Sequence, residues 1–207
     1  GIRWTAALRL LTLCESVEAW VEVGRFTFIA IIILVLAWSM SEIGRELHTA
    51  DFLIASLGDS LPAAALPAVI FVLAAFTAFS TGSSWGAMGI LLPLVLPLCW
   101  AIMGMEGMTS GEDYFVLYSS VAGVLAGAVW GDHCSPISDT TVMSSLSAGC
   151  DHIEHVRTQL PYALLAGAAA LGAGTLPTSF GLPWWLGMLA AAAVTVVGLR
   201  LLGEPVE

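Results

Sequence analysis

The chain has 207 residues, 58% of them hydrophobic and 11% charged, with a mean hydropathy of +0.90. Soluble domains carry about a quarter charged residues and must cover their outside with polar groups, so a water-soluble fold is excluded. Sixteen acids against six arginines and no lysine give a net charge of −10, which excludes a basic nucleic-acid surface.

A spanning helix needs about 20 residues at about 1.5 Å each. No charge occurs between Arg25 and Glu42, Asp59 and Glu106, Asp113 and Asp132, or Arg157 and Arg200. The first and third gaps each fit one crossing, and the second and fourth fit two. The expectation is an all-α, polytopic transmembrane helix bundle of about six crossings, a single transporter domain over residues 1–207. Gly1 is not an initiator methionine, so the chain reads as a fragment lacking its N-terminal half. A small complete transporter working as a homodimer is the alternative.

In residues 1–25, Glu15, Glu18 and Glu22 recur with Leu10, Leu11, Leu13, Val17 and Val21 between them. That pattern fits an amphipathic surface helix or the tail of a truncated span. Residues 26–41 form the first clear crossing, and 42–59 a polar loop with a short amphipathic piece, LHTADFLIASLGDS. Residues 61–80 are apolar. They are followed by Thr81-Gly82-Ser83-Ser84-Trp85-Gly86 and a second apolar run to Met105 that carries Pro93 and Pro97. Gly82 and Gly86 are expected to break the helix there. Residues 106–113 are a polar loop. Residues 114–131 cross again, with Gly123, Gly127 and Gly131 on one face where another helix can approach.

At the end of that crossing stands Gly131-Asp132-His133-Cys134-Ser135-Pro136-Ile137-Ser138-Asp139-Thr140-Thr141. Pro136 removes a backbone donor and breaks a helix. Residues 142–150 are too short to span, 151–159 are charged, and 160–176 cross again. A Pro/Gly turn follows at 176–183, and 183–202 form the last crossing, with Trp184 and Trp185 at its interfacial start. Arg157 and Arg200 flank the last two crossings and place 151–159 and the C-terminus on the cytoplasmic side.

Transporters build ion sites from broken helices, where freed carbonyls, hydroxyls and carboxylates supply the oxygens a hard cation needs. The first polar string offers Thr81, Ser83 and Ser84. The second offers Asp132, Ser135, Ser138, Asp139, Thr140 and Thr141. Asp139 lies far from any arginine, and a carboxylate at membrane depth is costly and functional. It is expected to hold either Na⁺ or a proton, with Asp132 as a second member of the site. Competing readings stay open. The hydroxyls of 81–84 can bond back to their own helix, and Asp132 can cap the following segment.

His133 and Cys134 beside Asp132 make a poor transition-metal set, because adjacent residues rarely aim at one metal. The cysteines Cys14, Cys99, Cys134 and Cys150 form no C-x-x-C pair. His152, Glu154 and His155 read as a solvated helix face, with a pH-sensing cluster as the alternative. An intramembrane aspartyl protease would need Asp132 and Asp139 to share a proton, which their placement around a proline disfavours. A bare scaffold would not need acids at this depth, so the chain is read as a transporter and not an enzyme.

The strings FSTGSSWGAMGILLPLVLP and GAVWGDHCSPISDTTVMSSLSAGCDHIEHVRTQLPYAL, with LAWSMSEIGRELHTADFL before them, resemble the signature segments of the NhaC family of sodium/proton antiporters. The resemblance implies cofactor-free exchange of Na⁺ for H⁺ across a prokaryotic plasma membrane. It also implies an inverted-repeat ion-transporter fold with paired broken or re-entrant helices, of which this chain supplies mainly one repeat. Exchange of malate for lactate coupled to Na⁺ and H⁺ is the alternative. An organic anion attracts arginine, and none occurs between Arg45 and Arg157.

Overall fold

The computed structural model describes residues 12–48 and 61–203. Leu10, Leu11 and most of the LHTADFLIASLGDS piece lie outside the described residues. All regular structure among the described residues is helical. Helix α1 spans Leu13–Glu46, and α2 spans Leu66–Thr81 after a 3₁₀ turn at Ala63–Ala65. Helix α3 is Ser84–Met105, α4 Tyr114–Cys134, α5 Asp139–Ala148 and α6 His152–Ala169. A π-helical stretch at Ala170–Thr175 leads into α7, Leu176–Ser179, and the last helix, α8, is Trp184–Leu202.

Among the described residues five helical segments are long and apolar enough to cross a membrane: Ala63–Thr81, Ser84–Met105, Tyr114–Cys134, His152–Ser179 and Trp184–Leu201. They coincide with the later five of the expected crossings. The 26–41 segment is the second half of α1, which runs unbroken from Leu13, so residues 13–25 are not a separate helix. Thr12 starts α1 with a reciprocal cap. Its backbone N–H donates to Glu15 Oε2 at 2.7 Å, while the Glu15 N–H reaches Thr12 Oγ1 at 3.3 Å. The Thr12 N–H and hydroxyl, both donating to the Glu15 carboxylate, hold it below its usual range.

Helices α2 and α3 form an antiparallel hairpin. Its open end is closed by Glu106 Oε1, which accepts from the Ala63 N–H at 2.9 Å. Leu66, Ile70, Cys99, Ile102, Met103, Val116 and Val124 pack into the main core between α2, α3 and α4. Pro93 and Pro97 lie inside α3 without ending it.

The glycine row of α4 explains the tightest contact in the molecule. A Cβ on Gly123 would sit 2.8 Å from the Pro67 carbonyl oxygen. One on Gly127 would strike the Phe71 carbonyl, and one on Gly131 the Ala75 carbonyl. The partners advance together, 67, 71, 75 against 123, 127, 131, so α2 and α4 run parallel with their backbones in contact. Parallel packing brings the C-terminal ends of the two helices to the same level.

Helix α6 returns antiparallel to α4. Gln159 Nε2 donates to the His133 carbonyl at 3.1 Å, and Trp130 Nε1 to the Ala163 carbonyl at 2.8 Å. Gly167 leaves the notch that the Trp130 ring fills. The chain does not break at residue 176 as its sequence suggests. It continues helically to Ser179, because Pro177 stands in the first turn of α7, where a missing N–H costs little.

Candidate functional site

Two helix ends meet where α2 and α4 stop. The first is Thr81-Gly82-Ser83. Gly82 ends α2 in the left-handed region at φ 67°, a conformation glycine adopts without Cβ strain. Ser83 begins α3 by accepting the Gly86 N–H on its Oγ at 3.2 Å. Thr81 Oγ1 bonds back to the Thr77 carbonyl at 2.8 Å. Gly86 therefore belongs to the first turn of α3, not to the break as its composition suggested, because Ser83 caps it into the helix. Ser84 is the first residue of α3.

The second break follows Cys134. Ser135 and Ser138 have extended backbones, with ψ near 131° and 139°, on either side of Pro136 and Ile137. Pro136 has no N–H to continue the α4 ladder. Ser138 restarts the chain as the N-cap of α5, its Oγ accepting the Thr140 N–H at 3.2 Å. The two breaks touch. Ser135 Oγ donates to the Phe79 carbonyl at 2.7 Å, and a Cβ on Gly82 would lie 2.8 Å from the Ile137 carbonyl oxygen.

Asp132 sits under this joint, one turn from the end of α4, and is 7% exposed. Thr140 Oγ1 donates to Asp132 Oδ2 at 3.1 Å. Ser138 Oγ lies 2.7 Å from Thr140 Oγ1. Since Thr140 spends its proton on the carboxylate, the Ser138 hydroxyl donates to Thr140 and is linked to Asp132 through it. No basic side chain pairs with Asp132 among the described residues. Thr141 Oγ1 donates to the His133 carbonyl at 3.2 Å and fastens α5 to the end of α4.

The expected lead carboxylate, Asp139, is placed differently. It is the first residue of α5, exposed, and makes no hydrogen bond among the described residues. A carboxylate in a first helical turn is favoured by the unpaired N–H groups there, so its position has a local reason. Asp132 does not cap the next segment either, since Ser138 takes that role. The hydroxyls of Thr81, Ser83 and Ser84 make no hydrogen bond to Asp132, although the turn they build abuts the second break.

Sequence reasoning missed His152. It was read as part of a solvated face, yet it is half-buried and reaches back to the second break. Its Nδ1 lies 3.0 Å from Ser145 Oγ and its Nε2 2.6 Å from the Pro136 carbonyl oxygen. Among the described residues no three His, Cys, Asp or Glu side chains gather in a metal-binding group.

The arrangement has a clear chemical capacity. A buried carboxylate that accepts one hydroxyl, with a second hydroxyl bonded behind the first, offers hard oxygen donors with no basic partner among the described residues. Such oxygens, in a setting where an isolated charge is costly, are of the kind a hard cation uses. On the far side of α4 an apolar groove of about 510 Å³ is lined by Phe76, Phe79, Trp130, Cys134, Leu160 and Leu164 among others, with no charged side chain in its wall.

Residues 6–176 match the Na⁺/H⁺ antiporter family. An uncharacterized protein of Haemophilus influenzae is 38% identical over 189 residues, covering 91% of this chain and 34% of that protein. An uncharacterized Na⁺/H⁺ antiporter of the same organism is 35% identical over 45% of this chain and 19% of its own length. The malate-2H⁺/Na⁺-lactate antiporter of Bacillus subtilis is 32% identical over 43% of this chain and 17% of its own. The matched regions thus span about a third or less of these relatives. No solved structure matches the chain.

Proposed function

Since this chain belongs to the Na⁺/H⁺ antiporter family, we propose that it forms part of a secondary transporter of the NhaC type that exchanges Na⁺ for H⁺, with Asp132 as the exchanging carboxylate. One observation carries this reading: Asp132 is buried, unpaired by any basic group among the described residues, and accepts the hydroxyl of Thr140, which Ser138 backs in turn. Ionised, it offers Oδ2 to Na⁺ with Thr140 Oγ1 and Ser138 Oγ as neighbouring oxygens. Protonated, it has no charge to hold the ion. One group that carries either cation but not both couples the two flows.

Ser135 and Thr141 hold the frame, and Gly82, Ser83 and Pro136 make the breaks. Asp139 stands exposed beside the site, where it adds negative potential on an approach path and is no obligatory ligand. The working protein is multi-pass in a prokaryotic cell membrane, with no resident cofactor and no catalysis of covalent chemistry. The rest of a longer polypeptide completes it, with a homodimer as the alternative.

A second reading has a specific support. The Bacillus relative is named as a malate/lactate exchanger. Against it, no arginine stands between Arg45 and Arg157 to clamp an organic anion. The test is to place the full-length gene in everted vesicles from cells without sodium/proton antiporters and follow the pH gradient. Collapse on NaCl but not choline chloride, lost in Asp132→Asn, is the expected result. Collapse only with Na⁺ plus malate or lactate transfers the assignment to the organic-acid exchanger. No response to either sinks both.

A further inference from the structure

We propose that His152 is a positioning residue for this site: its ring holds the Pro136 carbonyl and so sets how Ser138 and Thr140 face Asp132. The inference rests on the reading of Asp132 above.

The proton assignment follows from the partners. A backbone carbonyl can only accept, so His152 Nε2 carries the hydrogen and donates to Pro136 O at 2.6 Å. Nδ1 is then left to Ser145 Oγ, 3.0 Å away on a fully buried side chain. Ser145 also stands 2.8 Å from the Val142 carbonyl, so it can give its proton to the ring or to α5 without moving. The Nε2–Pro136 bond is kept in either case.

The location explains why the tie matters. Residues 135–138 have left the α4 helix. The Ser138 carbonyl already accepts the Val142 N–H as α5 begins and the Ser135 carbonyl accepts the Ser138 N–H at 3.4 Å, whereas the Pro136 carbonyl takes no backbone donor among the described residues. Pro136 has no N–H by which the segment could be fixed. Three contacts tie the segment to α2 and α6: Ser135 Oγ on Phe79 O, the Ile137 carbonyl against Gly82, and Pro136 O on His152. The first two come from α2. The third comes from α6, whose first turn is capped by Asp151 Oδ1 accepting the Glu154 N–H at 3.0 Å. Ser138 follows Pro136 by two residues, and its Oγ is the link to Thr140 and Asp132. Releasing the Pro136 carbonyl leaves that hydroxyl pair free to rotate away from the carboxylate.

The test uses the full-length protein in everted vesicles, reading apparent KM for Na⁺ and Vmax separately. His152→Ala is expected to raise the KM about tenfold, the weight of one to two hydrogen bonds, with Vmax within about twofold. His152→Gln places an amide donor near the Nε2 position and restores a near-wild-type KM. His152→Asn reaches only as far as Nδ1, keeps Ser145, loses Pro136, and behaves like Ala. If Ala does not accumulate in the membrane, the Gln and Asn pair decides by the same readout. An unchanged KM in Asn, or equal KM for Gln and Asn, overturns the inference, as does a Vmax loss at constant KM. Failure of wild type to exchange, or exchange surviving Asp132→Asn, overturns the prior reading instead.

Discussion

The two breaks both carry serines but put them to opposite uses. Thr81-Gly82-Ser83-Ser84 and Ser135-Pro136-Ile137-Ser138 interrupt apolar helices, one with glycine and the other with proline, and parallel packing of α2 and α4 sets them side by side. In the first, the hydroxyls of Thr81 and Ser83 are consumed locally by the Thr77 carbonyl and the Gly86 N–H. In the second, Ser138 also caps its own helix through the Thr140 N–H, but the Thr140 hydroxyl is turned on a buried carboxylate. A hydroxyl near a break is therefore no measure of an ion site. A charge inside it gives the hydroxyls something to point at.

This contrast can be broken by substitution. The largest effect is expected from Asp132→Asn, which keeps the shape and removes the charge: sodium-driven proton movement in vesicles should vanish while the protein still accumulates. Thr140→Val keeps volume and removes one donor to a charged partner, about 1.5–3 kcal/mol, so apparent Na⁺ affinity should fall about ten- to a hundredfold. A Thr140→Val protein with normal affinity would dissolve the distinction between the breaks. Ser83→Ala removes an N-cap and should lower stability in detergent by about 1 kcal/mol, read as an earlier melting transition, with KM for Na⁺ unmoved. The smallest effect is expected from Asp139→Asn, an exposed position, where KM should change by no more than about twofold. Loss of exchange there would return the lead role to Asp139.

Much of this was legible in the sequence. Charge-free runs marked the spans that α2, α3, α4, α6 and α8 fill, and the spacing of Gly123, Gly127 and Gly131 gave the face that meets α2. The polar strings marked both breaks. The choice between the two aspartates was not legible, because isolation from arginine is common to both and says nothing about rotation around an axis. Gly131 is committed to α2, which fixes where the next residue, Asp132, projects. Asp139 comes after a non-helical stretch, and only tertiary contacts set the rotation of α5. His152 was hidden for a similar reason. Within Asp151–Arg157 the residues Glu154 and Arg157 do face outward, while His152, His155 and Val156 share the less exposed face; two of those three are polar, so the face leaves little hydrophobic pattern.

Trp130 stands two residues before Asp132, with its indole N–H on the Ala163 carbonyl and its ring in the notch at Gly167. Indole emission depends on that bond and on the polarity around the ring, so the molecule carries its own optical gauge of the spacing between α4 and α6. With the other seven tryptophans replaced by phenylalanine, titrating Na⁺ against the single remaining fluorophore would report loading of the neighbouring carboxylate in real time, without a gradient, a dye or a vesicle.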